Sequence, residues 1–215
     1  MSGYPSGARL VLATRNEHKV VELREILADA LAGEDVDLEA AVVGLPDEAP
    51  DVVESGVTFA ANALLKARSA AAHSGLPAVA DDSGLAVDVL GGSPGVFSAR
   101  WSATRGTRAE IDRANVELLL AQVSDVPDEH RGAGFVCAIA LVRPDGAEVV
   151  EHGEVRGALT RSPRGSGGFG YDPVLQVEGG DRTLAEYGAA EKNAISHRGR
   201  AVRTALPHLL AVLRA

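Results

Sequence analysis

The sequence predicts an α/β fold in which helices flank a mixed, twisted sheet. Short apolar runs typical of buried strands alternate with stretches of helical periodicity, and a hairpin signal then interrupts the alternation. With 46% hydrophobic but only 4% aromatic residues, the 215-residue chain can bury a sizeable core made mainly of Ala, Val and Leu. We find neither an internal repeat nor a flexible linker, so we expect one domain over residues 8–215 after a disordered segment 1–7.

Strand and helix patterns alternate through the first half of the chain. The helix after the first apolar run repeats Val20, Leu23 and Leu27 at helical spacing, and Thr58 is suited to cap an Ala-rich second helix. An acidic, Pro-containing loop is expected at 44–56. The predicted elements are a strand at 10–13, a helix at 17–31, a strand at 37–43, a helix at 58–73, and strands at 76–80 and 85–90 that are separated by residues 81–84.

The second half adds a hairpin and a long terminal helix. Thr107 and Glu110 form a capping-box pattern that opens a helix to residue 123. Strands at 135–142 and 147–155 flank the turn signal 143–146. We expect loops at 91–95 and 162–170, a strand near 173–177, and a helix over 197–213 that Pro207 bends.

Composition excludes several classes of function. A net charge of −9 would repel a phosphate backbone, so we expect no nucleic-acid polymer as a partner. No apolar stretch approaches the roughly 18 residues of a membrane span, and the first residues lack the pattern of a secretory signal. Cys137 is the only cysteine and has no disulfide partner within the chain. These features together predict a cytoplasmic protein without a membrane anchor.

The distribution of lysine gives the first indication of a binding site. Only Lys19, Lys66 and Lys192 are lysines, whereas the other 18 of the 21 basic residues are arginine. Each lysine lies in a short polar segment, and a compact ammonium is not interchangeable with a guanidinium at a tight phosphate site. This pattern favours a site for a nucleoside triphosphate, although the three positions could also have arisen by chance.

The first polar segment lies between a predicted strand and a helix. A helix N-terminus offers free N–H groups and a positive dipole end to a phosphate. The segment lacks the glycines of a P-loop, and an N-capped surface helix is the alternative interpretation. Its residues are Thr14, Arg15, Asn16, Glu17, His18 and Lys19.

The second segment combines Glu54 with a helix that carries Asn62 and Lys66. Because residues four apart share a helix face, Asn62 and Lys66 are expected to lie together. Glu54 precedes the helix. The alternative is a solvated lysine with a glutamate that interacts with the helix dipole.

The third segment places two adjacent carboxylates at the end of an apolar run. Asp81 and Asp82 would be costly there unless a cation pairs with them, and a divalent metal ion is the usual partner. Because neighbouring strand residues point to opposite faces, both aspartates need not bind one ion. We favour Asp82 as the metal ligand and possible proton acceptor, with Asp81 as a second ligand or an orienting group. The alternative is an Asp-Asp-Ser-Gly turn.

The fourth segment pairs a glycine-rich stretch with a His-Arg pair. Gly170 and its neighbouring glycines would let the backbone approach a flat ligand on which Phe169 stacks. Asp172, His197 and Arg198 supply an acceptor and donors suited to a purine edge. Taken singly, Phe169 could instead fill a core and Arg198 could be a charge at a helix start.

Taken together, these segments resemble the inosine and xanthosine triphosphate pyrophosphatase family, the RdgB-like enzymes. The similarity extends from residue 10 to about residue 203. It is most specific at ADDSGLAVD (80–88) and GGSPGVFSAR (91–100), followed by GFGYDP (168–173) and EKNAISHR (191–198). The chain departs from the family's Thr-Gly-Asn-x-Gly-Lys loop at Arg15 and His18.

The resemblance implies a fold, an activity and a set of site residues. It implies an elongated, two-lobed Maf-like fold with a central cleft, which is usually a homodimer. The implied activity is Mg²⁺-dependent hydrolysis of ITP, dITP and XTP to the monophosphate and pyrophosphate. Lys19, Lys66 and Asp82 would be catalytic, with Glu54, Asp82 and Asp81 at the metal. Substrate contacts would come from residues 14–19, Asn62, Ser83, Phe169, Gly170, Tyr171, Asp172, Lys192, His197 and Arg198. Two hypotheses remain as alternatives, a non-catalytic nucleotide-binding module and a Maf-like pyrophosphatase of other nucleotides.

Overall fold

The structure is a computed structural model that describes residues 4–15 and 17–215, without the side chains of residues 18 and 22. Six strands form one sheet in the order β2-β1-β3-β4-β5-β6. β1 pairs in parallel with β2 and β3, whereas β5 and β6 are antiparallel, so the predicted mixed α/β sheet is confirmed. The strands are β1 (Leu10–Leu12), β2 (Val42–Val43), β3 (Ala78–Val87), β4 (Gly132–Val142), β5 (Glu148–Leu159) and β6 (Leu175–Val177).

Six α-helices accompany the sheet in the described part of the chain. The predicted helices after the first strand, after Thr58, after Thr107 and at the C-terminal end are confirmed, whereas α5 was not expected from the sequence. Pro207 lies inside the last of them. They are α1 (Glu17–Ala30), α2 (Leu38–Ala41), α3 (Phe59–Ser74), α4 (Arg108–Gln122), α5 (Ala189–Ile195) and α6 (His197–Leu213).

The predicted strand over 37–43 is wrong in its first half. The side chain of Asp37 accepts hydrogen bonds from the backbone N–H groups of Glu39 and Ala40, at 3.1 and 3.3 Å, and so caps the short helix α2. Only Val42 and Val43 are extended and pair with β1. An acceptor side chain ahead of a short apolar run therefore favoured a helical turn over strand pairing.

The predicted break between two strands at 81–84 is also wrong. β3 continues through Asp81, Asp82, Ser83 and Gly84 as a single ten-residue strand. The turn propensity of Asp-Asp-Ser-Gly is overridden by the sheet, in which β3 lies between β4 and β1, the latter pairing with it at Ala78 and Val79.

The chain divides into two compact units. The first contains residues 4–82, 138–152 and 201–215, and the second contains residues 83–137 and 153–200. In the first unit, all the buried apolar residues of α3 are alanines, and short side chains of this kind permit close packing of helix on strand. The alanines of this core are Ala63, Ala67, Ala70, Ala71, Ala78, Ala80, Ala138 and Ala140.

The core of the second unit contains larger side chains. Leu85, Leu119, Phe135, Val155 and Leu175 are buried there with neighbours from the same strands and helices. The α4 helix that borders this core begins with the predicted capping box, in which Thr107 and Glu110 exchange hydrogen bonds. The capping box that the sequence predicts at the start of α4 is therefore confirmed.

A buried arginine joins three elements of the second unit. Arg131 is 2% exposed, and its guanidinium donates to the carbonyl oxygens of Leu159 and Thr160 at 2.9 Å each and to that of Val123. Burial lowers the pKa of Arg131, the charge of Arg161 lowers it further, and the charge of Asp128 raises it. The arginine thus satisfies carbonyls at the end of β5 and just after α4, which would otherwise be buried without donors.

The start of the chain is only partly described. Tyr4 packs beside the alanine core of the first unit, and its ring lies edge-on to that of His73 with 6.3 Å between centroids. Disorder of residues 1–7 stays a prediction, and residues 1–3 lie outside the described residues.

Candidate functional site

The polar site of the first unit is built around the two aspartates of β3. Asp81 receives the Lys19 ammonium, with Nζ at 2.8 and 3.0 Å from its two carboxylate oxygens. Asp82 instead lies beside Lys66, whose Nζ is 3.3 Å from Oδ1. Adjacent strand residues alternate between faces, which explains why α1 supplies the partner of Asp81 and α3 supplies that of Asp82.

Lys66 connects Asp82 to the loop that carries Glu54. Its Nζ lies 2.8 Å from Oε1 of Glu54 as well as close to Asp82, so one ammonium bridges two carboxylates. The predicted proximity of Lys66 and Asn62 to one another and to the acidic residues is therefore observed in the structure. Lys66 is largely buried and paired with two carboxylates, which differs from a solvated helix charge.

The buried side chain of Asn62 connects Asp82 to the loop that follows Glu54. It is 0% exposed, its amide nitrogen donates to Oδ2 of Asp82 over 3.1 Å, and its oxygen accepts from the Gly56 N–H at 2.8 Å. A Cβ at Gly56 would lie 2.6 Å from that oxygen, so the loop can approach Asn62 only with glycine there. Asn62 thus fixes the position of Asp82 and the course of the loop after Glu54.

The site perturbs the titration of both Asp82 and Lys66. Burial raises the pKa of Asp82 and the charge of Glu54 adds to this, while Lys66 and the hydrogen bond from Asn62 oppose it, leaving the pKa above its ordinary value. Burial lowers the pKa of Lys66, but the hydrogen bond with Glu54 and the charges of Asp82, Glu54 and Asp81 outweigh it and the pKa is raised. Lys66 is accordingly a fixed cation, and Asp82 is a carboxylate whose affinity for a proton is increased.

The donor set of Glu54 and Asp82 fits a magnesium ion that is shared with a ligand. Within residues 4–15 and 17–215, no group of three or more His, Cys, Asp or Glu side chains is placed to hold a metal ion. Mg²⁺ is typically bound by one or two carboxylates together with substrate phosphates and water, rather than by a cage of protein ligands alone. Glu54 and Asp82, which already share the ammonium of Lys66, are consistent with a Mg²⁺ site of this kind.

The first polar segment has one residue in an unexpected role. The guanidinium of Arg15 donates to Oδ1 of Asp51 at 2.8 Å, to the carbonyl of Asp47 at 3.4 Å and to that of Ala49. It therefore fastens the segment to the acidic loop that precedes Glu54. A cavity of about 160 Å³ lined by Thr14, Arg15, Asp51, Lys66 and others lies beside this contact.

The other residues of that segment are placed as follows. The carbonyl of Thr14 accepts from the N–H of Leu45 at 2.9 Å, and Glu17 is exposed in the first turn of α1. The predictions for Asn16 and for the side chain of His18 lie outside the described residues.

The second unit contains the aromatic part of the predicted site. Phe169 is 56% exposed on a loop between Gly168 and Gly170, both of which have positive φ, at 72° and 62°. Asp172, with its side chain 3% exposed, accepts from the Phe169 N–H at 2.8 Å and from Nζ of Lys192 at 2.6 Å. Nζ of Lys192 also lies 5.0 Å from the centroid of the Phe169 ring, a cation–π arrangement.

The remaining predicted residues of this unit differ in exposure. His197 is 7% exposed and stacks on Phe135, with ring centroids 4.8 Å apart and 12° between planes. Tyr171 is buried and donates to the carbonyl of Ser98 at 3.0 Å, so it supports the loop from beneath. Ser83 and Arg198 are both partly exposed.

Asp112 is a site residue that the sequence reasoning missed. It lies on α4, where its Oδ2 accepts from the Gly170 N–H at 3.0 Å. From the sequence, Asp112 resembles one half of an ordinary i, i+4 ion pair with Arg108, which is also present at 3.0 Å. No local pattern indicates that a helix carboxylate meets a loop 58 residues further along the chain.

None of the helices in the described part of the chain has the length and apolar character required to cross a lipid bilayer.

Comparison with known proteins places this geometry in a family. The model of the Ham1 family matches residues 10–208. A dITP/XTP pyrophosphatase of Streptomyces avermitilis is 62% identical over 199 residues, which cover 93% of this chain and 96% of the relative. Among solved structures, a HAM1 protein from Coxiella burnetii has 40% identity and a TM-score of 0.82, covering 94% of this chain and 98% of that one.

A second solved structure agrees with the first. It is the nucleoside-triphosphatase / dITP/XTP pyrophosphatase from Mycobacterium abscessus, with 50% identity, a TM-score of 0.76 and coverage of 93% and 98% of the two chains. The family model, the curated relative and both solved structures each match nearly the whole length of this chain. The chain therefore belongs to the Ham1 family.

Proposed function

We propose that the protein is a nucleoside-triphosphate pyrophosphatase that removes ITP, dITP and XTP from the nucleotide pool by hydrolysis to the monophosphate and pyrophosphate. The observation that carries the proposal is the environment of Asp82. Its pKa is raised by burial, Asn62 holds it in place, and it lies beside Lys66, which also contacts Glu54. The names of relatives that are more than 50% identical over nearly the full chain support the choice of substrate.

The acidic pair and the lysines would handle the triphosphate. Glu54 and Asp82 would hold Mg²⁺, with Asp81 as an additional ligand or an orienting group. The metal ion would supply charge neutralisation at the phosphate oxygens. Lys19 and Lys66 would bind the phosphates and stabilise charge on the departing pyrophosphate, together with Thr14, Arg15, Asn16, Glu17 and His18 of the first segment.

Asp82 would take the proton from the attacking water. A general base works best when its pKa lies near the operating pH, and burial moves the pKa of Asp82 in that direction. Asn62 would act on this step indirectly. Because it donates to Oδ2 of Asp82, it orients the carboxylate and leaves Oδ1 on the side of Lys66.

The residues of the second unit would recognise the base. The exposed ring of Phe169 would stack on the purine, while Ser83, Gly170, Tyr171, Asp172 and Lys192 would line or support this contact. Donors from His197 and Arg198 suit a 6-oxo group. The 6-amino group of adenine would leave those donors without an acceptor, which is costly when they are buried.

The test is a panel of triphosphates with the purified protein. We expect pyrophosphate from ITP and XTP with kcat/KM at least about 100-fold above that for ATP, the scale reached when a mismatched substrate leaves buried polar groups unpaired. Chelation of Mg²⁺ should abolish the release. Binding of ITP without pyrophosphate release would indicate a non-catalytic module. Faster hydrolysis of pyrimidine or standard purine triphosphates would indicate a Maf-like enzyme of different specificity.

We further propose that the protein acts in the cytoplasm as a homodimer. The single buried thiol, Cys137, is consistent with a reducing compartment. Light scattering coupled to size exclusion distinguishes a dimer of about 44 kDa, twice the 22.2 kDa of the chain, from a monomer.

A further inference from the structure

The glycine loop around Phe169 is held by two carboxylates from different parts of the second unit. The N–H groups of Phe169 and Gly170 are consecutive along the backbone. Asp172 accepts the first at 2.8 Å, and Asp112 accepts the second at 3.0 Å. Asp172 lies next to the loop in the sequence, whereas Asp112 lies on α4 and connects the loop to a long helix.

Asp112 is placed to make a strong and lasting contact. Its side chain is only 15% exposed, and the N–H···O⁻ bond to Gly170 is charge-assisted. Its second oxygen pairs with Nε of Arg108 at 3.0 Å one turn earlier on the same helix. Asp112 thus contacts Arg108 of its own helix with one carboxylate oxygen and the loop with the other.

The loop conformation requires such anchoring. Gly168 and Gly170 both adopt left-handed backbone conformations, which glycine enters freely but which it also leaves freely. A Cβ at Gly168 would lie 2.9 Å from Nζ of Lys192, so the loop also packs closely on the lysine. With one flexible glycine on each side, Phe169, which is 56% exposed, would be poorly positioned without external hydrogen bonds.

We propose that Asp112 is a positioning residue for base recognition: by holding the Gly170 N–H, it keeps the Phe169 ring in the orientation in which it stacks on the purine. The inference rests on the proposed function, since it gives Asp112 a role in the binding of the same substrate. A preorganised aromatic surface binds a flat ligand without the entropic cost of ordering the loop at each encounter.

The first experiment measures the loop directly and does not depend on catalysis. Asp112→Ala keeps a good helix former at this position and removes the acceptor. We expect amide hydrogen exchange at Phe169 and Gly170 to accelerate at least about tenfold, which corresponds to the loss of one net hydrogen bond. Glu117→Ala, which removes an exposed carboxylate from the same helix, is the matched control and should leave exchange unchanged.

The second experiment is a double-mutant cycle with Phe169→Ala, using ITP as substrate. Alone, Asp112→Ala should raise KM about tenfold with kcat within about twofold, because the ring binds the base equally in ground and transition states. Asp112→Asn, which keeps an acceptor oxygen, should recover most of the affinity. In the Phe169→Ala background, Asp112→Ala should have less than about a twofold further effect, since the ring on which it acts is absent.

The outcomes separate this inference from the proposed function. If the wild-type protein releases no pyrophosphate from any purine triphosphate, the proposed function fails, while amide exchange still decides whether Asp112 holds the loop. Unchanged exchange in Asp112→Ala overturns the inference, as does an equal loss of kcat/KM in both backgrounds. Should the alanine variant be unstable, Asp112→Ser provides the same measurements with a side chain too short to reach Gly170.

Discussion

The side-chain amide of Asn62 donates a 3.1 Å hydrogen bond to Asp82 from a fully buried position. Its carbonyl end accepts from Gly56, two residues after Glu54. One buried amide thus fixes the distance between the strand that carries the proposed base and the loop that carries the other proposed metal ligand. Asn62 contributes to the site through these two residues, and both of its polar ends are engaged within the protein.

Replacement of Asp82 by Asn should abolish turnover and leave the fold intact. Asparagine is isosteric and can still accept from Asn62, but it carries no charge for the metal ion or for a proton. We expect kcat with ITP to fall at least about 1,000-fold, since one change removes a base and a metal ligand together. Circular dichroism and the melting temperature should match the wild type. A fully active Asp82→Asn protein would remove Asp82 from its proposed role.

Replacement of Asn62 by Ala should lower both stability and activity. The change deprives the Gly56 N–H and Asp82 of their partner, and two lost hydrogen bonds in a partly buried site cost about 2–3 kcal/mol. Urea unfolding measures this loss. The control is Arg68→Ala on the same helix, which breaks an exposed ion pair with Glu148 and should lower the free energy of unfolding much less. Equal losses in the two variants would contradict the role given to Asn62.

Replacement of Arg131 by Met should strongly destabilise the protein without touching the proposed site. Methionine fills much of the volume but leaves the carbonyls of Leu159, Thr160 and Val123 without their donor. We expect a loss of about 3–5 kcal/mol in the free energy of unfolding. Arg143→Met, at an exposed position in the turn between β4 and β5, controls for the loss of an arginine. If Arg131→Met lowers the free energy of unfolding by less than about 1 kcal/mol, water replaces the guanidinium as the donor to these carbonyls.

Tyr171 should make the stability of the protein fall at high pH. Burial, and secondarily the charge of Asp112, raise the pKa of the Tyr171 hydroxyl above its ordinary value of 10.0. Above pH 10 the unfolded chain releases this proton while the folded protein retains it. Unfolding is therefore favoured as pH rises, by about 1.4 kcal/mol per pH unit for one such group.

The matched variant for this prediction is Tyr171→Phe, which lacks the titrating group. The difference in unfolding free energy between wild type and variant should be constant below about pH 9.5. Between pH 10 and 11 the wild type should lose roughly 1 kcal/mol of stability relative to the variant. Parallel pH profiles of the two proteins would contradict a raised pKa for Tyr171. The loss of the bond to Ser98 adds an offset of about 1 kcal/mol that does not depend on pH below 10.

Local sequence signals predicted the parts of the fold that depend on local interactions. The Thr107–Glu110 capping box, the hairpin signal at 143–146 and the spacing of Asn62 and Lys66 all correspond to observed contacts or elements. In each of these cases the physical cause lies within a few residues along the chain. Two of the errors concern segments where competing preferences meet. At Asp37 the side-chain cap prevailed over strand pairing, whereas at residues 81–84 the strand prevailed over a turn.

The features that depend on distant residues were not predictable. Asp112 and Gly170 are 58 residues apart, and Arg15 contacts Asp51 across 36 residues. Nothing in the neighbourhood of Arg15 in the sequence distinguishes a guanidinium that binds a protein loop from one that binds a phosphate. Such contacts depend on how whole helices and strands pack together. Local sequence patterns do not reveal that packing.

The unbroken course of β3 limits how this protein can evolve. The aspartates are held in register by the pairing of Val11 with Ala78 and of Leu12 with Val79. Because side chains alternate with a period of two, a shift by one residue would exchange the faces of Asp81 and Asp82 and turn each toward the other's lysine. Insertion or deletion of one residue between Val79 and Asp81 would therefore separate both carboxylates from their lysines. Loops outside the strand, by contrast, can change in length while the acidic pair keeps its register.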